Sequence, residues 1–442
     1  MTRPDLSTLS SEDKDALILA LLERVAALEA RLGGPPKGPG NSGVAPSRGQ
    51  KANRPPRQKR PRVKREGPGV SRRLAGTPDR VVECRAVDCR HCGAAIEARG
   101  QSLRQRYDHI DLPPIRPVVT RIRIFGRRCP SCHRRVRGTA PAAMPPGTPF
   151  GPAIRSMLAY LHHSHHVGFE RLSVLLKELF GLAISEGAIA NAFRRMGPAL
   201  AAARAQIKAR LLTAPVIASD ETTTRVDGVT HWHWVFLSDR AVLHEIAPSR
   251  ARSVAAQVLG EHRPEVWVSD RYAGQQDLAR AHQVCLAHVL RDVQYAIDCG
   301  DTTLAPRLRD HLRWAIRIGR RRSRLKDSTL AAYAAKAERG LDRLLAKPAA
   351  HPAGRDLQRQ VKAWRGKFFV FLADRRVPAT NNASEREIRP SVVFRKVTNG
   401  FRSTWGPATH AGYRSVIGTA RLQGSSAWDA IRALTNGAFE LA

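Results

Sequence analysis

Residues 215–220 (PVIASD) and 266–270 (VWVSD) are two short apolar runs, and each of them ends in an aspartate. Between the two runs, residues 231–237 (HWHWVFL) alternate in the way that a β-strand does. Residues 241–246 predict a further strand, and residues 252–259 predict a helix. The predicted order of elements is therefore strand, strand, strand, helix, strand.

This order is that of a ribonuclease-H-like fold, in which aspartates on two adjacent strands meet at one edge of the sheet. Asp220 and Asp270 are the aspartates concerned here. Phosphoryl transfer with two Mg²⁺ (or Mn²⁺) ions needs a third carboxylate, and the best candidate is Glu385 in residues 381–386 (NNASER). In the alternative interpretation, the two aspartates are turn residues and Glu385 caps a helix that starts at Asn382. The joint occurrence of all three carboxylates favours a catalytic role.

The composition points to a polyanionic partner. The 442 residues include 74 Lys and Arg against 38 Asp and Glu, which leaves a formal net charge of +36. This excess argues against an ordinary metabolic enzyme for small acidic substrates and indicates nucleic acid. No run approaches the ~18 apolar residues of a membrane span, and the N-terminus has no signal-peptide pattern. We therefore expect a cytoplasmic protein whose cysteines are reduced thiols or metal ligands.

The N-terminal region predicts a coiled-coil-like helix in residues 1–32, followed by a basic disordered linker in residues 33–80. The apolar positions with heptad spacing are Ile18, Leu21, Val25, Leu28 and Leu32. They favour a homo-oligomer, and the alternative is an amphipathic helix packed on its own chain. The linker can hold phosphates without reading sequence, can serve as a solvated tether, or can do both.

Residues 81–140 predict a zinc-binding module. Two C-x2-C motifs supply the four ligands Cys89, Cys92, Cys129 and Cys132. Two such motifs in a reducing compartment predict one tetrahedral, structural Zn²⁺, because four protein ligands leave no open position. Residues 118–124 between the motifs predict a strand of a zinc ribbon. Cys84, His91 and His133 are spare donors, so the exact ligand set stays open.

Residues 150–210 predict a helical region. A helix that ends at Gly181 and a second one capped by Ser185 are compatible with helix-turn-helix DNA binding, with Arg194 and Arg195 near phosphates. Any helical hairpin gives the same pattern. We interpret the histidines of residues 162–166 as surface or packing residues, because no Cys, Asp or Glu lies in register with them.

The motifs of the chain resemble those of the insertion sequence 66 family of transposases, which belong to the DDE class. The matching motifs are residues 219–222 (SDET), 269–274 (SDRYAG), 285–292 (CLAHVLRD), 381–386 (NNASER) and 395–403 (RKVTNGFRS). The resemblance spans nearly the whole chain and implies catalytic, Mg²⁺-binding roles for Asp220, Asp270 and Glu385. Cys84 and residues 422–426 depart from the family pattern.

The resemblance also implies a helical insertion between the second aspartate and the glutamate, and residues 327–346 agree because they predict a helix. Cys285 and His288 look like half a metal site, for which we favour a structural role. Glu221 is expected to point away from Asp220, because neighbouring strand residues face opposite sides. The further residues expected to hold phosphates are Arg386, Arg389, Arg395, Lys396 and Arg402.

The predicted fold class is therefore multidomain α+β. The predicted catalytic domain comprises residues 211–276 and 371–420, the helical insertion residues 277–370, and a helical tail residues 421–442. The leading hypothesis is a DNA transposase that performs metal-dependent end cleavage and strand transfer. The alternatives are a non-catalytic zinc-containing DNA-binding protein and a nuclease or resolvase on the same fold. The expected partners are double-stranded DNA, further copies of the chain and accessory proteins, with a cytoplasmic, nucleoid-associated location.

Overall fold

The computed structural model describes residues 10–32, 35, 37–38, 41, 72–147 and 149–441, so most of the predicted linker lies outside the described residues. The α-helices are α1 (Ser11–Leu32), α2 (Pro152–Ala159), α3 (Phe169–Phe180), α4 (Glu186–Arg194), α5 (Gly197–Leu211), α6 (Arg252–Leu259), α7 (Leu286–Asp298), α8 (Leu304–Arg321), α9 (Asp327–Ala346), α10 (Pro352–Ala363), α11 (Val370–Ala373), α12 (Asn382–Thr398), α13 (Gly406–Leu422) and α14 (Ala427–Thr435). The strands are β1 (Gly126–Arg128), β2 (Arg135–Arg137), β3 (Val216–Val226), β4 (Val229–Leu237), β5 (Val242–Ala247), β6 (Val266–Ser269) and β7 (Ala281–Val284). None of the described helices is long and apolar enough to cross a membrane.

The central sheet has five strands in the order β5-β4-β3-β6-β7. Strands β3, β4 and β5 form an antiparallel meander, whereas β6 and β7 run parallel to β3. A two-residue turn joins β3 to β4, and both of its residues, Asp227 and Gly228, have positive φ, as a tight hairpin requires. The predicted strand, strand, strand, helix, strand order is confirmed by β3, β4, β5, α6 and β6.

Strand β3 is longer than the sequence predicts. The apolar run suggests a strand that ends at Asp220, but β3 continues to Val226. Its second half, which reads ETTTRV, is polar. This half keeps the strand conformation because every residue from Ala218 to Val226 pairs with β4. Asp220 therefore lies inside a strand, just beyond the short segment in which β3 also pairs with β6.

Strand β7 corrects the purely helical assignment of residues 277–370. It completes the sheet beside β6, although two of its four residues, His282 and Gln283, are polar and buried. Gln283 donates a hydrogen bond to the carbonyl of Phe368 and accepts one from the N–H of Phe371. These distant partners make the burial of a polar side chain tolerable. The rest of the segment is helical, and α9 confirms the helix predicted for residues 327–346.

Helices cover both faces of the sheet, because alternate strand residues point to opposite sides. On one face, Ile217, Trp234 and Phe236 belong to a core built with helices α2 to α5, α13 and α14. On the other face, Ala218 and Val235 belong to a core built mainly with helices α7 to α12. The region predicted as helical in residues 150–210 and the predicted insertion thus pack against opposite faces of one sheet.

The helix boundaries predicted around residues 181–185 are confirmed. Helix α3 ends at Gly181, whose φ of 64° is the left-handed conformation typical of a helix C-terminus. Ser185 is the N-cap of α4, and its Oγ accepts a hydrogen bond from the N–H of Ala188 at 3.2 Å. The two helices form a hairpin through local signals alone.

The strand predicted for residues 118–124 is wrong, since these residues carry no regular structure and β1 begins only at Gly126. Val118 and Val119 are almost fully exposed, and no described strand lies beside them to complete a ladder. In the N-terminal region, α1 forms as predicted, with Ile18 and Leu21 about half exposed. The side chains of the later heptad positions lie outside the described residues.

Candidate active site

Asp220 and Asp270 lie on neighbouring parallel strands. In the register of β3 and β6, Ala218 pairs with Val268. Asp220 lies two residues after Ala218, and Asp270 lies two residues after Val268. In parallel strands, residues that are equally far beyond a paired position lie side by side. The two aspartates therefore lie at the same edge of the sheet. Asp270 is fixed there by its Oδ1, which accepts a hydrogen bond from the N–H of Tyr272 at 2.8 Å.

Helix α12 brings Glu385 to the same edge. The helix has Asn381 as its N-cap, and the Nδ2 of Asn381 donates to the carbonyl of Ser219, next to Asp220, at 2.7 Å. The capping box considered for Asn382 does not form. The N-cap residue is Asn381, and its N–H donates to the sulfur of Cys285 at 3.1 Å instead of to Glu385.

Asp220 feels the charges of the neighbouring carboxylates. Burial raises the pKa of Asp220 well above its ordinary value, and the negative charges of Glu221, Asp270 and Glu385 raise it further. A buried carboxylate beside other negative charges is unfavourable unless a cation or a proton neutralises it. The donor set fits Mg²⁺ or Mn²⁺, because it consists of carboxylate oxygens, which are the ligands that these hard ions prefer.

Glu221 is buried and acts as an anchor rather than a fourth member of the group. Its Oε1 lies 2.6 Å from a guanidinium nitrogen of Arg250, and its Oε2 accepts from Gln275. Gln275 in turn accepts from the indole N–H of Trp267 on β6 at 3.0 Å. Burial and the nearby charge of Asp270 raise the pKa of Glu221 to about 7. These contacts tie the middle of β3 to the loop that follows Asp270.

Helix α7 also contacts the site, through residues to which the motifs alone gave no contact with Glu385 or with the segment after Asp270. The Nδ1 of His288 and a guanidinium nitrogen of Arg291 lie 3.7 and 4.0 Å from the Oε1 of Glu385. Asp292, one turn further, is ion-paired with Arg271, the residue after Asp270. The spacing of residues 288, 291 and 292 on one helical face was the available signal, but only the fold shows what that face contacts.

The two C-x2-C motifs each form a tight turn. Backbone N–H groups within the turns lower the pKa of the Cys89 and Cys129 thiols, which prepares the sulfurs to act as thiolate ligands. The second turn lies in the β1–β2 hairpin. Within the described residues, however, no three of the four cysteine sulfurs lie within 4.8 Å of one another. Each turn alone offers two sulfurs to a metal ion, but the described structure does not gather three of the four sulfurs at one point.

The residues predicted to contact DNA fall into two groups. Six of them are exposed: Arg194, Arg195, Arg386, Arg389, Lys396 and Arg402. Arg395 differs, because its guanidinium donates to the hydroxyl of Thr222 at 3.0 Å and to Thr223. Arg395 therefore holds α12 against β3, beside Asp220.

Comparison with known proteins adds a family to this geometry. The model of the Transposase IS66 family matches residues 147–409, which is more than half of the chain and includes Asp220, Asp270 and Glu385. The match leaves out α1, the two C-x2-C turns and α14. No curated protein matches the chain. By the extent of the family match, the chain belongs to the IS66 family of transposases.

Proposed function

We propose that this transposase cleaves the ends of an insertion sequence and joins the freed strand to target DNA, with Asp220, Asp270 and Glu385 as its catalytic residues. The observation that supports this most directly is the parallel register of β3 and β6, which sets Asp220 and Asp270 side by side. Glu385 lies in the first turn of α12, and the hydrogen bond from Asn381 to Ser219 holds that turn next to Asp220. The raised pKa of Asp220 agrees with this arrangement. The sheet order, with a helix between β5 and β6, supports a ribonuclease-H-like catalytic domain.

The three carboxylates would hold two divalent cations, Mg²⁺ or Mn²⁺. When bound, such ions activate the attacking oxygen and stabilise the leaving one. The chain's own residues fix the carboxylates relative to one another. Asn381 and Arg395 hold α12 on β3, and the Arg271–Asp292 pair holds the segment after Asp270 on α7.

The proposed DNA contacts come from the six exposed basic residues and from a net charge of +36. Double-stranded DNA, as element end and as target, is the proposed substrate, and the proposed location of the protein is the nucleoid in the cytoplasm. The exposed apolar side chains of α1 support a homo-oligomer through this helix, and the C-x2-C turns support a structural Zn²⁺. The resemblance to the family also supports accessory proteins as partners.

The test uses the full-length protein and a plasmid that carries its coding DNA with the flanking sequence. We expect Mg²⁺-dependent nicking and strand transfer by the wild type and at least a 100-fold loss in Asp270→Asn, with DNA binding unchanged. Asp239→Asn is the matched control, because Asp239 is exposed and lies in the β4–β5 turn.

Other outcomes favour the alternative functions. DNA binding without any cleavage, unaffected by Asp270→Asn, would identify a non-catalytic DNA-binding protein. Cleavage that depends on Asp270 but never yields joined products would identify a nuclease or resolvase.

A further inference from the structure

Cys285, His288 and Glu385 converge beside the proposed catalytic site. Their ligand atoms all lie within 4.8 Å of one another, and within the described parts of the chain they are the one group of three or more His, Cys, Asp and Glu residues with this property. The three residues contribute one sulfur, one nitrogen and one oxygen, a mixed set that suits a borderline-soft divalent ion.

The fold builds this cluster from two adjoining helix starts. Cys285 is the N-cap of α7, and His288 follows it by three residues on the same face. The N–H of Leu286 donates to the carbonyl of Ala379 at 3.0 Å, so the start of α7 lies beside the chain that enters α12. Glu385 occupies the first turn of α12 and therefore faces His288.

Several polar atoms in the cluster and beside it are buried without a hydrogen bond. These atoms are the Nδ1 of His288, the Oε1 of Glu385, the Oδ1 of Asn381 and the Oγ of Ser384. A buried polar atom without a hydrogen-bond partner is unfavourable, and four such atoms at one place indicate that a ligand binds there. The sulfur of Cys285 accepts a hydrogen bond from the N–H of Asn381 at 3.1 Å, a contact that would also stabilise a metal-bound thiolate.

The distance between the ligand atoms of His288 and Glu385 fits a zinc ion between them better than a direct hydrogen bond. The 3.7 Å between His288 Nδ1 and Glu385 Oε1 is too long for a hydrogen bond. Two ligand atoms of a tetrahedral zinc site lie about 3.4 Å apart when each bond is about 2.0–2.1 Å. Mg²⁺ is excluded as the occupant by the sulfur, since this ion takes oxygen ligands in near-octahedral geometry.

We propose that Cys285, His288 and Glu385 bind one Zn²⁺ ion, distinct from the ions of the proposed catalytic site. The proposal rests on this geometry and does not require the proposed function. Zinc takes one oxygen of the Glu385 carboxylate, which leaves the second oxygen for the edge of Asp220 and Asp270. The ion thus cross-links the first turns of α7 and α12 and fixes Glu385 before DNA arrives.

The test measures metal content and Co²⁺ spectra of the full-length protein after removal of metal with a chelator and reloading. The wild type is expected to bind one equivalent of Zn²⁺ more than Cys285→Ser and His288→Gln. The Co²⁺ difference spectrum between wild type and Cys285→Ser is expected to show a thiolate-to-Co²⁺ band, because the C-x2-C turns are present in both proteins and cancel. Cys299→Ser, at the other end of α7, is the matched control and keeps the full equivalent.

Equal Zn²⁺ content in the wild type and both variants overturns the proposal. If Cys285→Ser does not fold, His288→Gln gives the same comparison, because the His288 side chain is partly exposed and tolerates replacement more easily. Asp220→Asn separates the two sites, since it is expected to lose Mg²⁺-dependent activity and to retain the Co²⁺ band. If the wild type shows the thiolate-to-Co²⁺ band but no strand transfer, the proposed function is rejected and the zinc site is not.

Discussion

Asp220 shows how a single residue is placed for chemistry at the expense of stability. Its carboxylate is buried among the charges of Glu221, Asp270 and Glu385, and its pKa is raised for that reason. A charged group in such surroundings destabilises the folded protein when no cation is bound. Active sites commonly carry a stability cost of this kind.

Replacement of this charge is expected to stabilise the metal-free protein. Asp220→Asn should raise the midpoint of thermal unfolding in chelator by about 2–4 °C, which corresponds to about 1 kcal/mol. Mg²⁺ should raise the midpoint of the wild type and leave that of the variant unchanged. Calorimetry or circular dichroism measures both effects, with Asp239→Asn as the neutral control. A lower midpoint for Asp220→Asn in chelator would contradict this account of the site.

At the scale of the element, α12 combines an inner and an outer face. Ser384, Ile388, Ser391 and Phe394 are buried at spacings of three and four residues. The opposite face carries Arg386, Arg389 and Lys396, all exposed and none in an ion pair within the described part of the chain. One helix therefore presents Glu385 to the sheet and a row of positive charge to solvent, where a DNA backbone near the site would lie.

The outer face of α12 is expected to contact phosphates. Replacement of Arg386, Arg389 and Lys396 by Gln should weaken DNA binding equally on all sequences. It should also reduce the slope of log K against log salt by roughly 2.7, because each lost phosphate contact removes about 0.9. Fluorescence anisotropy at several salt concentrations measures this slope.

A matched control is available on α9. Lys336, Arg339 and Arg343 are exposed at similar helical spacing. Their replacement by Gln changes the net charge equally and should leave the slope nearly unaltered. An equal loss in both variants would show that the effect comes from net charge and not from α12.

At the scale of the whole molecule, a cluster of buried histidines joins the helical layer to the sheet. His162 and His163 come from the π-helical turn after α2, His233 and His244 from β4 and β5, and His410 from α13. The Nε2 of His233 lies 2.9 Å from the Nδ1 of His244, and the Nδ1 atoms of His163 and His410 lie 3.3 Å apart. Of the histidines in residues 162–166, His162 and His163 thus pack in the core.

Burial lowers the pKa of every histidine in this cluster, to about 4 for His162 and about 3 for His233. The charge of Arg414 lowers the pKa of four of these histidines further, namely His163, His233, His244 and His410. For His233 the charge of Arg395 adds to this effect. Between these values and 6.5, the unfolded chain binds protons that the folded chain excludes, so the free energy of unfolding falls as pH falls. With respect to these histidines, the free energy of unfolding is therefore highest above about pH 6.5 and falls progressively below that pH.

Acid lability is therefore expected between pH 6.5 and 5. Each buried histidine contributes about 1.4 kcal/mol per pH unit in this range. His233→Gln should reduce the slope of unfolding free energy against pH by about one proton. His231→Gln, on the same strand but outside the cluster, should leave it unchanged. Denaturant unfolding at several pH values measures the slope, and an identical slope for His233→Gln and wild type would disprove the role of the cluster.

Local signals were sufficient for much of the fold and for part of the site. The helix end at Gly181, the cap at Ser185 and the helix of residues 327–346 depend on neighbouring residues only, and the structure has all three. The apolar runs before Asp220 and Asp270 predicted adjacent strands, because burial on both faces leaves a pattern in the sequence itself.

Other features depend on partners distant in the chain, and no local pattern carries them. The polar half of β3 is a strand because β4 pairs with it, and β7 is a strand because β6 pairs with it. Phe368 and Phe371, far along the chain, satisfy the buried amide of Gln283 in β7. The strand expected at residues 118–124 is absent because no described strand pairs with it. Likewise, the meeting of Cys285 and His288 with Glu385 follows from the packing of two helix starts, which tertiary contacts alone decide.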